Sequence, residues 1–514
     1  MSEPRQDSYD VVVIGSGFGG VSVAALLQRA GMSVLLCEQD EGLGGYAHTF
    51  ELGPYRFDPA VRVSYAGGPD GLYNAVLSHL GTADQVELVP VERMYDVQLP
   101  DGRRVKCPAS FEGLIAGHQE VFPRAAAGIE SFFQMMMTMH VQGHAMPMNL
   151  GLHNLDETAE RFPEYFSHLR RTMDDVAREH LGDDFEARSA VNASWPYQGV
   201  VPSELSFVAI GQVIMNGAEG TFHSMGGFAS LINATVAGLK AHGGDLVTGN
   251  GAATIHVGDG RVSAVTLESG HTVQAKYVVS NADARQTFLS LVGEEHLPRP
   301  FVKKLGRYTL SHSAFVVFLA TDMDLHALDL AHEIFIPTQW DHEQDKARIA
   351  AGRPAGVWIG IPSLVDDTLG PAGDHPLAIS GIAAWDIGRP WDEARDEHAR
   401  EMIEIAERVI PGLSSNVKFM ETATPETLHR FTRNSGGAMY GWEHTPTQVG
   451  TRRLPHTTPI DGLLLSGSWT IPGSGSLRSF ASGVHTAAII LRMEGAGPPL
   501  PGAAAAAANL PEID

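Results

Sequence analysis

A glycine-rich stretch near the start of the chain most constrains its fold. Residues 10–20 read DVVVIGSGFGG and residues 34–38 read VLLCE. An apolar strand, a glycine turn, a helix, a second apolar strand and an acid therefore follow one another. This order predicts the βαβ unit that binds a dinucleotide, with Glu38, about 20 residues on, placed to accept hydrogen bonds from ribose hydroxyls.

Each glycine of this turn has its own physical reason. Gly15 lets the chain leave the strand in a tight turn, Gly17 leaves room for a pyrophosphate, and Gly20 allows the helix and strand to pack closely. Phe18 and Gly19 open the helix, whose N-terminal N–H groups and dipole attract phosphates. Taken alone, the motif is compatible with NAD, NADP or FAD.

Length and composition narrow the class of protein. A chain of 514 residues predicts two or three domains, and 43% hydrophobic residues are typical of a globular protein. No apolar run approaches the roughly 18 to 20 residues that span a bilayer, and residues 1–8 lack the parts of a signal peptide. A net charge of −24 argues against nucleic acid and anionic lipid as partners. We expect a cytoplasmic protein.

Cysteine and histidine spacing predicts no metal site. Cys37 and Cys107 are the two cysteines, and their separation fits neither a disulfide framework nor zinc. No HxxxH pair with a nearby acid predicts a metal centre, and no GxSxG predicts a hydrolase.

A second glycine loop follows Glu38 directly. Residues 41–50 read EGLGGYAHTF, so Gly44 and Gly45 would bring backbone N–H groups close to the cofactor phosphates and Thr49 could add a hydroxyl. A plain loop is the alternative interpretation. His48 borders this loop and is the candidate acid or base, the alternative being a structural hydrogen bond.

Two distant segments complete the pattern. Asp259 and Gly260 separate two alternating apolar runs, 252–257 and 262–267, and so predict a β-hairpin. Residues 277–283 are predicted to return as a strand to the first sheet. Residues 462–475, GLLLSGSWTIPGSG, precede a helical run from about 477 to 493, which predicts another strand, glycine turn and helix N-terminus.

Residues 9–58, 222–288 and 425–490 resemble the phytoene desaturase, carotenoid isomerase and retinol saturase group of flavoproteins, which is similar in fold to the amine oxidases. The run GGYAHTF at 44–50 resembles the retinol saturase branch. The runs NSGGAMYGW at 434–442 and GSWTIPG at 467–473 are similar to the bacterial carotenoid isomerase-like branch.

The resemblance implies an α/β fold with a Rossmann-type FAD-binding domain and a discontinuous α+β substrate-binding domain. Residues 1–85, 221–300 and 456–495 would form the FAD-binding domain. Residues 86–220 and 301–455 would form the substrate-binding or cap domain, and the low-complexity residues 496–514 are predicted to be a disordered tail.

The resemblance also implies the residues that contact FAD. The adenosine diphosphate half would contact Gly15, Gly17, Phe18, Gly19, Gly20 and Glu38. The pyrophosphate and ribityl region would contact Gly44, Gly45, Tyr46 and Thr49, and the adenine would contact the backbone at Ala252. The ribityl chain and isoalloxazine would contact Gly467, Ser468, Pro472, Gly473 and Gly475.

Two positions depart from the family pattern. Many relatives have an acid where this chain has Ser468, which weakens that contact with the cofactor. Relatives usually carry a proline at the position of Ser224.

The substrate pocket is predicted from aromatic residues in or near the matched segments. Tyr440, Trp442 and Trp469 would frame the reactive face of the flavin, and a core role is the alternative for each. Phe222 is also assigned to the pocket. The methionine-rich residues 135–148 are interpreted either as the wall of a tunnel for a long apolar substrate or as ordinary core, an oligomer contact or a patch that touches a membrane.

The predicted function is hydride transfer at a carbon–carbon bond of a hydrophobic conjugated polyene, carotenoid-like or polyketide-derived, by desaturation, saturation or isomerisation. The lack of a second GxGxxG argues against a nicotinamide-binding domain, so oxygen, a quinone or a separate reductase would complete the cycle. An amine oxidase-like enzyme is one alternative. A non-enzymatic lipid-binding protein like the GDP-dissociation inhibitors is the other. The sequence leaves the oligomeric state open.

Overall fold

The computed structural model describes residues 2–60, 62–65, 67–145 and 155–501. Its strands, β1–β19 in chain order, are Ser8–Ile14, Val34–Cys37, Phe50–Leu52, Tyr55–Phe57, Ser64–Tyr65, Leu88–Pro90, Arg93–Gln98, Arg104–Pro108, Thr221–Ser224, Asp245–Val247, Ala252–Gly258, Arg261–Leu267, Thr272–Ser280, Ser313–Thr321, Glu333–Pro337, Gly356–Gly360, His375–Ala383, Val417–Ala423 and Leu463–Leu465.

Helices connect and cover these strands. Helices α1–α16 are Phe18–Arg29, Leu72–Leu80, Phe111–Val121, Ala126–Ala145, Leu155–Arg161, Pro163–His168, Met173–Leu181, Phe185–Asn192, Phe207–Ala218, Ala229–Ala241, Ala284–Gln286, Arg299–Leu305, Glu343–Ala350, Trp391–Ala406, Pro425–Thr432 and Ser476–Met493. In the part of the chain that the structure describes, no helix combines the length and the apolar character needed to cross a membrane.

The first sheet assembles strands from both ends of the chain. Its order is β10-β2-β1-β13-β12-β11, and β19 pairs with β13. Strands β2, β1, β13 and β19 are parallel. Strands β2 and β19 are continuous apolar runs, and most of β1 and the end of β13 are buried, because both faces of a parallel sheet are covered. The predicted first strands and the strand after residue 462 are confirmed. The returning strand predicted at 277–283 is confirmed in place, but it runs from Thr272 to Ser280, so residues 281–283 follow it.

The predicted hairpin between β11 and β12 is also confirmed. The two strands pair antiparallel, and Asp259 and Gly260 both have positive φ, at 50° and 75°. Positive φ at both turn positions matches the right-handed twist of the flanking strands.

The second sheet has the order β18-β14-β17-β16-β15-β7-β8. One of its faces packs against the cluster that includes residues of α4, α7 and α9, and the other packs under α14. All strands of this sheet come from residues predicted to form the substrate-binding domain. The boundaries of the two domains remain a prediction, and most of the predicted tail, residues 502–514, lies outside the described residues.

The methionine-rich segment divides between core and undescribed chain. Met136 and Met139 are fully buried on α4 and face Gly211 of α9, where an added Cβ would lie 2.5 Å from Met139 Cε. Met146 and Met148 lie outside the described residues. For Met136 and Met139, the structure therefore agrees with the core interpretation.

The first and last helices of the chain pack in direct backbone contact. A Cβ on Gly483 of α16 would lie 1.9 Å from Ser22 Oγ and 2.3 Å from the carbonyl oxygen of Gly19. The Ser22 hydroxyl donates to the carbonyl oxygen of Phe480, 3.0 Å away. This contact holds the N-terminal and C-terminal segments of the first sheet together.

We expect Gly483→Ala to lower the free energy of unfolding by about 1–3 kcal/mol, because the methyl group has no space beside the Gly19 carbonyl. Chemical denaturation checks this. Gly258→Ala is the control, since nothing lies within 4 Å of its added Cβ. Equal effects of the two substitutions would contradict the packing argument.

Candidate functional site

The first glycine turn has the geometry that its sequence predicts. Gly15 leaves β1 with φ of 92°, and a Cβ on Gly20 would lie 1.9 Å from the Gly15 carbonyl oxygen. Helix α1 begins at Phe18 after Gly17, and no side chain caps its N-terminus. An uncapped N-terminus that follows a tight glycine turn fits an anionic group such as a pyrophosphate.

Glu38 follows β2 and is buried beside this turn. Its Oε2 accepts the Ser16 backbone N–H at 2.7 Å and the Ser16 hydroxyl at 2.6 Å, and its Oε1 accepts the Asp40 N–H at 3.1 Å. The Ser16 hydroxyl oxygen also accepts the Gly44 N–H at 3.0 Å. Ser16 therefore joins the predicted ribose acid to the second glycine loop. Its role was not predicted from the sequence, although Ser16 stands between two glycines of the motif.

Asn281 connects the first glycine turn to the last one. A Cβ on Gly17 would lie 2.8 Å from Asn281 Nδ2, and a Cβ on Gly19 or Gly467 would lie 2.7 Å or 2.1 Å from Asn281 Oδ1. The Ser466 hydroxyl donates to the Gly19 carbonyl oxygen at 3.0 Å. Two predicted cofactor segments from opposite ends of the chain therefore meet around one amide. The only sequence signal for Asn281 is its place at the end of the returning strand.

The second glycine loop lies against the first turn. Gly44 and Gly45 have φ of 113° and 55°, values that glycine adopts without strain. The Tyr46 hydroxyl donates to the Ala438 carbonyl oxygen at 3.2 Å, which links this loop to the segment at 434–442.

Thr49 bonds to protein groups. Its hydroxyl donates to Asp58 at 2.6 Å and accepts the Ala229 N–H, which begins α10, at 3.0 Å. Burial raises the pKa of Asp58 to about 6. Thr49 therefore anchors the loop to α10 in this structure, and its role toward a cofactor remains a prediction.

His48, the candidate acid or base, is half-buried. Its ring lies against Gly42, where a Cβ would approach to 2.8 Å, and edge-on to Phe50 at 6.2 Å between ring centroids. Burial lowers the pKa of His48 below its ordinary value, which favours the neutral imidazole at neutral pH. Its catalytic role is untested by this geometry.

Ala252 and Phe18 are two further cofactor candidates. Ala252 opens β11, and the neighbouring Asn250 N–H donates to the Glu38 carbonyl oxygen at 3.0 Å. Phe18 packs against Tyr73 and Phe480 with ring centroids 5.9 Å and 6.0 Å away.

The last glycine turn lies just before α16. Gly467, Gly473 and Gly475 have positive φ, and Pro472 follows a cis peptide bond. No side chain caps the N-terminus of α16, which follows Gly475 directly. This turn therefore presents a second uncapped helix N-terminus.

Arg453 holds this turn in place, although no local pattern in the sequence predicts this role. It is fully buried and donates to backbone carbonyl oxygens of Tyr440, Trp442, Ser468 and Thr470 at 3.2, 3.3, 2.5 and 3.2 Å. Burial, together with the charge of Arg478, lowers the pKa of Arg453 to about 9, which still leaves it charged at neutral pH. The guanidinium thus links the predicted substrate segment to the predicted cofactor turn.

The four predicted substrate-pocket residues do not form one group. Trp442 and Trp469 contact each other edge-on at 4.8 Å, and both are buried in the apolar cluster beside the first sheet. Tyr440 packs with the cluster of the second sheet and donates to the Pro196 carbonyl oxygen at 2.9 Å. Phe222 lies in β9. Their assignment to a substrate pocket remains a prediction.

The sequence model of the family "Flavin containing amine oxidoreductase" matches residues 18–491. The chain belongs to this family. It is a flavin-dependent oxidoreductase, and the predicted resemblance to the desaturase, isomerase and saturase group is confirmed by the relatives that follow.

The chain is similar over most of its length to enzymes of polyene metabolism. It is 25% identical to prolycopene isomerase of Daucus carota, over 96% of this chain and 82% of that protein. It is 26% identical to the neurosporene-forming phytoene desaturase of Rhodobacter capsulatus, over 95% of each. It is 24% identical to human all-trans-retinol 13,14-reductase, over 90% of this chain and 82% of that protein.

Solved structures share the fold. A putrescine oxidase variant superposes with a TM-score of 0.66 at 14% identity, covering 95% of this chain and 99% of that one. Cyclohexylamine oxidase from Brevibacterium oxydans superposes with a TM-score of 0.63 at 15% identity, covering 95% and 100%. The predicted fold class, α/β with an amine oxidase-like arrangement, is confirmed.

We expect Arg453→Met to lower the free energy of unfolding by about 1–3 kcal/mol, because buried carbonyls that lose their donor are left unsatisfied. Urea denaturation measures the change. The exposed Arg389, which pairs with Glu397, provides the matched control as Arg389→Met, with an expected change within about 0.5 kcal/mol. Similar losses in both variants would argue against the bridging role.

The pH dependence of stability has a testable contribution from Glu443, next to Trp442. Burial raises its pKa to about 7, with a smaller contribution from the charge of Glu204. The folded protein therefore holds this proton over a pH range in which the unfolded chain has released it. The contribution of this proton to folding stability is complete at pH values below the pKa that Glu443 has in the unfolded chain. It is lost as the pH rises through the pKa that Glu443 has in the folded protein.

We expect the free energy of unfolding of Glu443→Gln, compared with that of the natural protein, to be higher at about pH 8 than at about pH 5. Urea denaturation at the two pH values measures this difference. The exposed Glu404, replaced as Glu404→Gln, is the control. A difference that does not change with pH would refute the assignment.

Proposed function

We propose that the protein is an FAD-dependent oxidoreductase that transfers hydride at a carbon–carbon bond of a hydrophobic conjugated substrate. The observation that carries the proposal is the meeting of the first and last glycine turns around Asn281, with Ser466 and Gly19 hydrogen-bonded. A dinucleotide with a long ribityl extension needs binding groups from both turns. The similarity to an isomerase, a desaturase and a reductase of polyenes supports the substrate class.

The residues present fit FAD. Uncapped N-termini of α1 and α16 suit its pyrophosphate and the pyrimidine edge of its ring, and Glu38 suits its ribose. When bound, the flavin supplies the acceptor or donor of the hydride. The chain's own task is to orient the substrate and to exclude water.

Buried positive charge near the last turn supports the same assignment. Arg478 lies in the first turn of α16, and its guanidinium donates to the Ala209 carbonyl. Arg453 binds carbonyls of the turn itself, and among the described residues neither arginine has a carboxylate as a hydrogen-bond partner. Preorganised positive charge stabilises negative charge that develops on a reduced ring.

We expect Glu38→Ala to retain FAD about tenfold or more weakly, because the charged acceptor for the ribose is lost and Ser16 loses its partner. The ratio of flavin to protein absorbance after desalting, and titration of the stripped protein with FAD, measure the change. Glu51→Ala is the control, since Glu51 is exposed and pairs only with Arg56 in the ion pairs of the described chain. Equal retention by both variants would contradict the assignment of Glu38.

The reaction class is tested by anaerobic mixing of the FAD-loaded protein with lycopene, all-trans-retinol and cyclohexylamine. Bleaching of the flavin by a polyene is expected for desaturation. A polyene product formed only by the prereduced protein is expected for saturation or isomerisation. Bleaching by the amine alone would instead favour the amine oxidase-like alternative, and a protein that cannot be loaded with FAD would refute the proposal.

A further inference from the structure

One face of the second sheet carries polar groups within an apolar surface. Register pairs Glu333 with Gly360, and Trp358 with both Phe335 and Ser380, so these side-chain positions share a face. The same face packs in the apolar cluster that includes α4, α7 and α9. Burial of a carboxylate and a hydroxyl in such a face is unfavourable unless both groups have polar partners.

Arg62 lies on this face and is fully buried, with 3% of its surface exposed. Its Nη2 donates to the Ser380 hydroxyl, and its guanidinium carbon lies 6.0 Å from the centroid of the Trp358 ring. A Cβ on Gly360 would lie 2.1 Å from Arg62 Cδ, so a glycine at 360 makes the space for this side chain.

The Arg62 guanidinium is not satisfied by the protein. Within the part of the chain that the structure describes, Nε and Nη1 are buried without a hydrogen-bond partner. Glu333 accepts from the Tyr197 hydroxyl, and Asp58 accepts from Thr49 and from the Phe228 N–H at 3.1 Å. Both carboxylates lie close enough to interact with the Arg62 charge, yet neither accepts a hydrogen bond from it among the described residues, and burial raises the pKa of both Glu333 and Asp58.

This contrasts with Arg453, which is equally buried but bonded to carbonyls around its guanidinium. A buried cation with unused donors is costly unless a ligand supplies the missing acceptors. Two small cavities border this face. One is lined by Arg62, Phe57, Asp58, Gly360 and Leu377, and the other by Trp358, Phe335 and Ile382.

We propose that Arg62 binds a carboxylate on an otherwise apolar substrate, so that the natural substrate is a polyene acid rather than a plain hydrocarbon. The inference rests on the proposed function, whose substrate class it specifies. A planar guanidinium matches the planar carboxylate, and the hydroxyl of Ser380 holds it in place. The apolar walls accept the chain, and the buried Arg62 cation fixes which end of the substrate enters.

The test is a binding titration of the FAD-loaded protein with all-trans-retinoic acid and with its methyl ester, which differ in charge and little in shape. Quenching of the fluorescence of the seven tryptophans reports binding independently of the flavin. We expect the acid to bind about tenfold or more tightly than the ester. For Arg62→Met, we expect the affinity for the acid to fall by about the same factor and the affinity for the ester to stay unchanged.

Two further variants separate recognition from folding. Arg62→Lys keeps the charge but loses the planar donor array, so we expect it to retain part of the preference for the acid. Arg389→Met removes an exposed arginine and is expected to keep the full preference. Thermal unfolding of each variant shows whether it is folded, and Arg62→Lys with the natural protein suffices if Arg62→Met does not fold.

Equal affinity of the natural protein for acid and ester, or no binding of the acid, would overturn the proposal. So would an Arg62→Met variant that loses stability but keeps the acid preference, since that result assigns Arg62 a purely structural role. A protein that prefers the acid but never exchanges hydride with any polyene would refute the proposed function and leave the carboxylate site standing.

Discussion

Close packing of three glycines around the Asn281 amide is the contact on which the site depends. Gly17 and Gly19 come from the first turn and Gly467 from the last, and a side chain on any of them would lie within 3 Å of Asn281. The amide can reach both turns because β13, which ends beside it, lies between β1 and β19 in the sheet. The order of the sheet thus brings the first and last glycine turns, from distant parts of the sequence, together.

Two buried arginines differ in role: Arg453 holds the site together, and Arg62 is proposed to recognise the substrate. The guanidinium of Arg453 is enclosed by backbone carbonyls and joins the last turn to the loop of Tyr440 and Trp442. The guanidinium of Arg62 is also buried, but two of its nitrogens have no acceptor within the described part of the chain. The two buried arginines therefore have different roles, a structural one for Arg453 and a proposed ligand-binding one for Arg62. Only their hydrogen-bond partners distinguish these roles.

Local patterns predicted the elements of the first sheet well. The final helix was expected from about residue 477 and begins at Ser476, and the turn at Asp259 and Gly260 has the expected positive φ. These features depend on residues that are neighbours in the chain. The substrate pocket was predicted less well, because aromatic residues carry no signal of which cluster will bury them: Trp442 and Trp469 pack beside the first sheet, while Tyr440 packs with the second.

The sequence by itself determined the glycine turns, the acid at Glu38 and the family, since backbone freedom and hydrophobic period are written into short segments. Only the tertiary structure decided the roles of Ser16, Asn281, Arg453 and Arg62. Each acts through partners from other segments of the chain, such as Glu38 for Ser16 and Ser380 for Arg62. A polar side chain becomes a bridge or a ligand-binding group according to which acceptors the folded chain brings within reach, and no local pattern contains that information.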